Sequence, residues 1–286
     1  MITAVNVPEL RRLRAGMRGD FGLVPTMGAL HEGHLSLVRR ARAECDRTGV
    51  SIFVNPAQFG PNEDLHRYPR DLDRDLGLLE PLGVDLVFAP SPETMYPAGF
   101  QSWVTVEEVS KGLEGGMRPG HFRGVATAVA KLLNIFAPDR AYFGQKDAQQ
   151  VAVIRRMVND LNFPAEVVVC PTVRAPDGLA LSSRNAYLNP AERQAATVLY
   201  RALSAARDAF EAGERKASAL RTITRAVLDA EPMARADYVS ASDPETLADI
   251  EGVGAGVLLS LAVRVGHVRL IDNLLLLPGK PNVSCH

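Results

Sequence analysis

Two closely spaced histidines, His31 and His34, stand where the sequence changes from a strand-like to a helix-like pattern. An apolar strand from residue 23 is expected to break at Pro25 and to turn through Gly28, and a helix is expected from His34 onward. A helix N-terminus presents unpaired N–H groups and a positive dipole to an anion, and imidazoles donate hydrogen bonds to phosphate oxygens as charge builds on them. Because Gly33 has no side chain, a ligand can approach the backbone there. The pattern predicts a phosphate-transfer site, and the alternative is a pair of surface histidines on a loop.

A lysine and two amides follow other predicted strands. Lys146 stands at the carboxyl end of a predicted strand, where a cation can meet a polyphosphate, and Gln150 should lie one turn further along the same helix face. A Lys-Asp pair at a helix start is also commonly a solvated cap. Asn55 and Gln58 follow the predicted strand 50–54, and ligands of open parallel sheets bind outside the carboxyl ends of the strands. We therefore expect both side chains to lie beside the histidines.

A third stretch, Leu181-Ser-Ser-Arg184, combines two hydroxyls, backbone donors and a guanidinium on one loop. These groups suit a triphosphate, because charge-assisted and bidentate hydrogen bonds to phosphate are strong. A Ser-Ser-Arg turn has no such role in most proteins. Its position after an apolar strand and a Pro-Asp-Gly turn favours a phosphate-binding loop here.

The elements that must position these residues alternate between strand and helix through about residue 172, which predicts a Rossmann-like doubly wound parallel sheet, an α/β fold. The domain boundary is placed there, giving domains 1–172 and 173–286, the second a smaller α+β domain. The Gly-rich stretch 107–123 is either a mobile lid or a long turn. Besides the first strand, the predicted strands are 50–54, 84–89, 102–106, 140–143, 166–170, 236–240, 257–265 and 267–277. The predicted helices are 5–17, 34–46, 71–82, 124–137, 148–161, 190–213 and 217–230.

Composition narrows the class of protein. The 286 residues carry 32 basic and 33 acidic side chains, a formal net charge of −1, which gives no support for a nucleic-acid partner. Cys45, Cys170 and Cys285 are too few and too scattered for a disulfide framework or a metal cage, which favours a reducing compartment. No signal-peptide pattern opens the chain, and no apolar run reaches the ~18 residues of a membrane span, so we expect a cytoplasmic protein.

Five stretches together resemble one known family. The sequence Pro25-Thr-Met-Gly-Ala-Leu-His-Glu-Gly-His34 is similar to the nucleotide-binding signature of the pantothenate synthetase family, within the H-x-G-H nucleotidyltransferase superfamily. The other stretches, in the family's order, are Ser51–Gly60, Arg118–Gly124, Phe143–Asp147 with Gln150, and Leu181–Arg184. This chain departs from the family pattern at three positions: Gln145 replaces a Glu, Ala148 a frequent Tyr, and Leu181 a Met.

The resemblance implies an ATP-dependent ligase that condenses (R)-pantoate with β-alanine through a pantoyl adenylate and releases AMP and pyrophosphate. It further implies Mg²⁺ bound mainly through the ATP phosphates, a homodimer, a first domain that binds nucleotide and pantoate, and a second that closes over the site. The alternatives are another H-x-G-H nucleotidyltransferase and a nucleotide-binding homologue without catalytic turnover.

The resemblance also assigns residues to roles. The catalytic set is His31, His34, Lys146, Ser182, Ser183 and Arg184. The ATP-binding set is Met27, Gly28, Ala29, Leu30, His31, Glu32, Gly33, His34, Gly144, Gln145, Lys146, Asp147, Val173, Leu181, Ser182, Ser183 and Arg184. Gln58 and Gln150 are assigned to pantoate, and Gln58 also to β-alanine. No residue is expected to be a dedicated metal ligand.

Overall fold

The computed structural model describes residues 1–61 and 63–279, so Cys285 lies outside the described residues. Within those ranges, no helix combines the length and the apolarity needed to cross a lipid bilayer. The strands are β1 (Ile2–Ala4), β2 (Phe21–Thr26), β3 (Arg47–Ile52), β4 (Leu86–Phe88), β5 (Arg140–Gly144), β6 (Glu166–Cys170), β7 (Ala234–Ser242), β8 (Val257–Val265) and β9 (Val268–Leu276). The helices are α1 (Val7–Ala15), α2 (Glu32–Glu44), α3 (Leu72–Leu79), α4 (Pro92–Met95), α5 (Leu113–Met117), α6 (His121–Phe136), α7 (Ala148–Asp160), α8 (Pro190–Ala195), α9 (Val198–Glu211) and α10 (Ala217–Asp229).

Two compact units divide the chain. The first contains Met1–Gly144 and Gln149–Cys170, and the second contains Gln145–Ala148 and the chain from Pro171 onward. The sequence places the domain boundary at residue 172, whereas this division ends the first unit at Cys170 and groups residues 145–148 with the second.

The first unit is built on a parallel sheet of six strands in the order β1-β4-β3-β2-β5-β6. The predicted doubly wound fold is confirmed, because two separate apolar clusters cover the two faces of the sheet. Phe21 and Leu23 of β2 pack into one cluster with α6, and Val24 of the same strand packs into the other with α2. Successive side chains of a strand point to opposite faces, so a strand covered on both sides is apolar throughout.

The strand order places the site elements. From β2 the chain proceeds through β3 and β4 to one side, and then continues with β5 and β6 on the other side of β2. The carboxyl ends of β2 and β5 therefore adjoin at the topological switch point, the usual ligand position in open α/β sheets. The turn after β2, which leads to the two histidines, starts at this edge.

The predicted break of β2 at Pro25 is wrong, because Pro25 lies within the strand and pairs in register with Ser51. The carbonyl of Thr26 accepts a hydrogen bond from the Phe53 N–H (3.0 Å), on the β3 side of the strand. Because successive residues of a strand direct their backbone groups to alternate sides, the nitrogen and carbonyl of Pro25 face β5. Pairing with β5 involves only Gly22 and Leu23 among the described residues. The missing N–H of the proline therefore costs no ladder hydrogen bond.

One further prediction for the first unit needs correction, and the structure adds detail to another. Residues 102–106 belong to no described strand, and the Val104 N–H donates to Thr127 Oγ1 of α6 (2.9 Å) instead of to another strand. The stretch 107–123, expected as a lid or a long turn, contains α5 and the first turn of α6. Gln149 fixes part of it, since its amide donates to the carbonyls of Val109 and Gly112 and accepts from the Glu114 N–H.

The second unit has an antiparallel sheet in the order β7-β8-β9 packed with α9 and α10, which confirms the expected α+β class. The single helix predicted over 190–213 is instead two helices, α8 and α9, separated at Ala196 and Thr197. At the break the Thr197 N–H and hydroxyl both donate to the Gln194 carbonyl (3.2 and 2.8 Å), three residues back, in place of the four-residue spacing of an α-helix.

Candidate active site

The turn after β2 has an unusual backbone conformation. Gly28 has φ 77° and the next residue, Ala29, has φ 49°, so two successive residues are left-handed. The Gly28 N–H donates to Thr26 Oγ1 (3.2 Å), and this hydroxyl in turn donates to the Ser51 carbonyl (2.7 Å). A Cβ at Gly28 would lie 2.9 Å from Asp75 Oδ2 and 3.1 Å from Ile52 Cγ2. Glycine is therefore required there by both backbone conformation and space.

A buried carboxylate of α3 forms a hydrogen bond with the backbone of this turn. Asp75 of α3 is 1% exposed, and its Oδ1 accepts a hydrogen bond from the Leu30 N–H (2.8 Å). Burial raises the pKa of Asp75, and the N–H groups of Leu30 and Ala29 oppose that shift by stabilising the charged form. The Leu30 N–H is therefore bonded to Asp75 and is not directed outward to a ligand.

Sequence reasoning did not identify Asp75, although a signal was present. Leu72, Asp75 and Leu79 follow each other at spacings of three and four residues, so the acid occupies the apolar stripe of its helix. An acidic residue at such a position needs hydrogen-bond partners in the interior, because a buried charge without them is costly.

The two histidines cap the N-terminus of α2. His31 is the N-cap residue, and its Nδ1 accepts from the Gly33 N–H (3.1 Å). His34 Nδ1 accepts from the His31 N–H (3.4 Å), and the ring centroids are 4.1 Å apart. Because both Nδ1 atoms accept, each neutral ring carries its proton on Nε2. The two side chains thus accept from N–H groups at the helix end, and Nε2–H is the donor type that a neutral ring in this tautomer can offer to a phosphate oxygen.

The neighbouring Glu32, predicted to bind ATP, forms an ion pair with Arg39, about two turns further along α2. This pairing holds the pKa of Glu32 below its usual range. Its carboxylate therefore remains charged at neutral pH.

The predicted carboxylate- and hydroxyl-binding amide Gln58 reaches the same turn. Its Nε2 lies 3.2 Å from the Met27 sulfur, and its Oε1 accepts from Asn55 Nδ2 (3.0 Å). Asn55 is 2% exposed and accepts from the Tyr96 hydroxyl (2.8 Å), so Tyr96 fixes the orientation of the Asn55 amide that bonds to Gln58. The structure thus places Gln58 against Met27, directly before the Gly28–Leu30 turn, and its position beside the histidines stays a prediction.

A second network fixes the backbone of Gln58. The carbonyl of Gln58 accepts from His121 Nδ1 (2.8 Å), and His121 Nε2 accepts from Arg118 Nη1 (3.1 Å). Arg118 also binds the Glu63 carboxylate with two hydrogen bonds, at 2.8 and 2.6 Å. Burial lowers the pKa of His121 to about 4, and the Arg118 charge acts in the same direction. The imidazole is therefore neutral near pH 7 and serves as a bridge between the guanidinium and the carbonyl.

The close approach of α6 to this loop depends on Gly124. A Cβ at that position would lie 2.2 Å from the Ala57 carbonyl oxygen. The Gly124 carbonyl accepts from Asn55 Nδ2 (3.1 Å), which ties the helix to the loop. The family-like stretch Arg118–Gly124 therefore shapes the loop that carries Gln58.

In the second unit, Asn273 of β9 holds the Lys146 segment. Asn273 is 4% exposed, and its Nδ2 donates to the carbonyls of Gln145 (3.0 Å) and Lys146 (2.8 Å). Gln145, which departs from the family pattern, donates from Nε2 to Asn273 Oδ1 (3.1 Å). The Lys146 ammonium lies 3.9 Å from Asp147 Oδ1. Sequence reasoning did not identify Asn273, because it is distant in the chain and stands in an apolar strand.

The Leu181–Arg184 stretch forms a separate turn of the second unit. Ser182 caps the 3₁₀ helix Ser183–Tyr187, and its Oγ accepts from the Arg184 N–H (3.3 Å). The Leu181 N–H donates to the Val173 carbonyl (3.0 Å), so two predicted nucleotide-binding residues are brought together. The remaining predicted residues, Gly144 and Gln150, belong to the first unit, at the end of β5 and in the first turn of α7.

Comparison with known proteins identifies the family. The sequence profile described as "Pantoate-beta-alanine ligase" matches residues 3–275. The chain belongs to the pantoate–β-alanine ligase family. The predicted resemblance is therefore confirmed.

Relatives in the ligase family match over nearly the whole chain. The pantothenate synthetase of Roseiflexus sp. (strain RS-1) is 63% identical over 276 residues, covering 96% of this chain and 99% of that protein. The pantothenate synthetase of Chloroflexus aggregans is 60% identical over 272 residues, covering 95% and 98%.

Solved structures of the ligase family share the fold. Pantothenate synthetase from Thermus thermophilus has a TM-score of 0.92 at 52% identity, covering 96% of this chain and 99% of that chain. Pantoate-beta-alanine ligase from Francisella tularensis, complexed with beta-gamma ATP and beta-alanine, has a TM-score of 0.80 at 37% identity, covering 96% and 97%. The enzyme class and the two-part architecture are thus common to the family and this chain.

Within residues 1–61 and 63–279, no three histidine, cysteine or carboxylate side chains are grouped closely enough to hold an ion. This arrangement is compatible with a divalent cation whose ligands are mostly phosphate oxygens and water.

Proposed function

We propose that this protein joins pantoate to β-alanine at the expense of ATP, through a pantoyl adenylate, and releases AMP and pyrophosphate. Family membership supports the overall reaction, and so does the Francisella tularensis relative, which was solved in complex with beta-gamma ATP and beta-alanine. The observation that carries the proposal is the histidine pair itself, whose rings follow β2, cap the N-terminus of α2 and lie 4.1 Å apart. Phosphoryl and nucleotidyl transfers depend on such donors, because catalysis is mostly positioning and charge stabilisation.

In the first half-reaction, a pantoate carboxylate oxygen attacks the α-phosphorus of ATP. An O–P bond forms as the bond to the β-phosphate oxygen breaks, and pyrophosphate leaves with the electron pair. His31 and His34 donate hydrogen bonds to the phosphate oxygens as negative charge builds. We further propose that Lys146 and the Ser182–Arg184 loop neutralise the outgoing phosphates. The predicted backbone contacts of Met27 and Val173 would hold the nucleotide.

In the second half-reaction, the β-alanine amine attacks the activated carbonyl, the C–O bond to AMP breaks, the nitrogen loses a proton to water, and an amide forms. Gln58 and Gln150 would bind pantoate, because neutral amides donate to and accept from hydroxyl and carboxylate groups. Gln58 would also contact β-alanine. Closure of the smaller domain over the adenylate would keep water from hydrolysing the mixed anhydride.

We propose Mg²⁺ as the companion of ATP, held through the phosphates. When bound, the ion would neutralise charge on the departing pyrophosphate. We also propose that the protein acts as a homodimer in the cytoplasm, where ATP is supplied. These expectations rest on family resemblance.

The test is pantoate-dependent exchange of labelled pyrophosphate into ATP in the absence of β-alanine. Exchange that requires pantoate is expected, because the adenylate forms reversibly before the amine is used. The His34→Ala protein should exchange about 100-fold more slowly, the usual cost of losing a donor to a developing oxyanion.

Two results would overturn the proposal. A folded wild-type protein that shows no exchange, and no AMP release with both substrates, would be a nucleotide-binding homologue without turnover. A protein that forms no amide but produces a nucleotidyl adduct would be a different nucleotidyltransferase. Exchange at the wild-type rate in His34→Ala would remove that histidine from the mechanism.

A further inference from the structure

The carboxylate of Asp75 lies beneath the histidine-bearing turn, yet the proposed reaction does not use it. It is 1% exposed, and its Oδ1 lies 2.8 Å from the Leu30 nitrogen, 45 residues away in the chain. Its Oδ2 faces the Cα of Gly28, as the 2.9 Å distance to an ideal Cβ there shows. One side chain thus contacts the turn along its length.

The turn needs such support because its backbone is strained. Ala29 is left-handed at φ 49°, a conformation that residues with a Cβ rarely adopt. Strain of this kind persists only where surrounding contacts fix it, and it occurs often at ligand-binding turns. The hydrogen bond of Leu30 to Asp75 fixes the residue directly after the strained one.

Apart from its hydrogen bonds to the turn, Asp75 makes contacts that stabilise the fold little. Its ion pair with Arg74 spans 3.4 Å, and the Arg74 side chain is 53% exposed, so water screens the attraction. The position lies on the apolar stripe of α3, where a leucine would bury more apolar surface. The presence of a carboxylate at this position is explained by the hydrogen bonds that it accepts from backbone N–H groups of the turn.

We propose that Asp75 is a positioning residue for adenylate formation. By fixing the Gly28–Leu30 turn, it sets where the N-cap His31 begins α2 and where both imidazole Nε2–H groups point. This inference rests on the proposed role of the turn in nucleotide binding. Asp75 itself does not contact the reacting atoms and acts through the backbone.

The test compares Asp75→Ala and Asp75→Asn with Asp85→Asn as the control. Asp85 is also a poorly exposed acid of the first unit, and it accepts from the Thr48 N–H (2.9 Å) and pairs with Arg42 and Arg47. It precedes β4 and so stands at the amino edge of the sheet, away from the turn. The asparagine at position 75 retains one acceptor oxygen for the Leu30 N–H.

The kinetic readout is pantoate-dependent pyrophosphate exchange, with thermal unfolding measured on the same samples. Misplacing a reacting group by ~1 Å costs about 100-fold, so Asp75→Ala should lower kcat by about that factor. Asp75→Asn should lie between Asp75→Ala and the wild type, and Asp85→Asn should lose thermal stability while kcat and the ATP KM stay within about twofold. An Asp75→Ala protein that is folded and retains wild-type kcat and KM would overturn the inference.

A second readout reports the turn itself. Hydrogen exchange of the Leu30 amide should be slow in the wild type and in Asp85→Asn, much faster in Asp75→Ala, and intermediate in Asp75→Asn. If Asp75→Ala does not fold, Asp75→Asn decides: faster Leu30 exchange together with a lower kcat supports the role, and a wild-type kcat refutes it. If the wild type shows no pyrophosphate exchange, the proposed function fails, while the Leu30 amide still tests the positioning role separately.

Discussion

Removing the Asn273 side chain tests how the second unit positions Lys146. The amide makes three hydrogen bonds, two to the carbonyls of Gln145 and Lys146 (3.0 and 2.8 Å) and one from Gln145 Nε2 (3.1 Å). Each such bond contributes about 1 kcal/mol net, so Asn273→Ala should lower the free energy of unfolding by about 2–3 kcal/mol. Because these bonds fix the backbone at Lys146, we also expect pyrophosphate exchange to slow by about 10- to 100-fold.

The assay pairs exchange kinetics with chemical unfolding, and Asn189→Ala is the matched control. Asn189 caps α8 in the same unit, and its Oδ1 accepts from the Glu192 N–H (2.9 Å). Losing this cap should cost about 1 kcal/mol of stability without slowing exchange. The reasoning is refuted if Asn273→Ala is destabilised as expected but exchanges pyrophosphate at the wild-type rate.

Two further predictions concern the first unit. Gly28→Ala should cost about 1–3 kcal/mol of stability and slow pyrophosphate exchange, because the backbone is left-handed there and the new Cβ would meet Asp75. Ala29→Gly should be nearly neutral, because glycine adopts a positive φ without strain. Thermal unfolding and exchange kinetics check both variants, and equal effects of the two would contradict the strain argument. The folded-state pKa of His121, about 4, lies below that of the unfolded chain, so the unfolded state takes up the proton first as the pH falls below about 6.5. Stability should therefore drop by about 2 kcal/mol more in the wild type than in His121→Asn between pH 7.5 and pH 5, measured by urea unfolding, and an equal drop would contradict this assignment.

Much of the fold was predictable because its causes are local. Near-continuous apolar strands such as 166–170 alternate with amphipathic helices, and this alternation is sufficient to specify a parallel sheet covered on both faces. The two histidines at the start of α2 were predictable for the same reason, since capping and helix initiation depend on neighbouring residues.

What the sequence by itself determined was the class of fold, the histidine pair and the loops that carry the candidate site. The tertiary structure decided that Pro25 stays within β2, that Asp75 holds the turn, and that Asn273 holds the Lys146 segment. Each of these depends on residues that meet only after folding: Leu30 and Asp75 are 45 positions apart, and Gln145 and Asn273 are 128 apart. Local patterns record which element a residue joins, whereas hydrogen-bond partners across elements are fixed by how the sheets and helices pack.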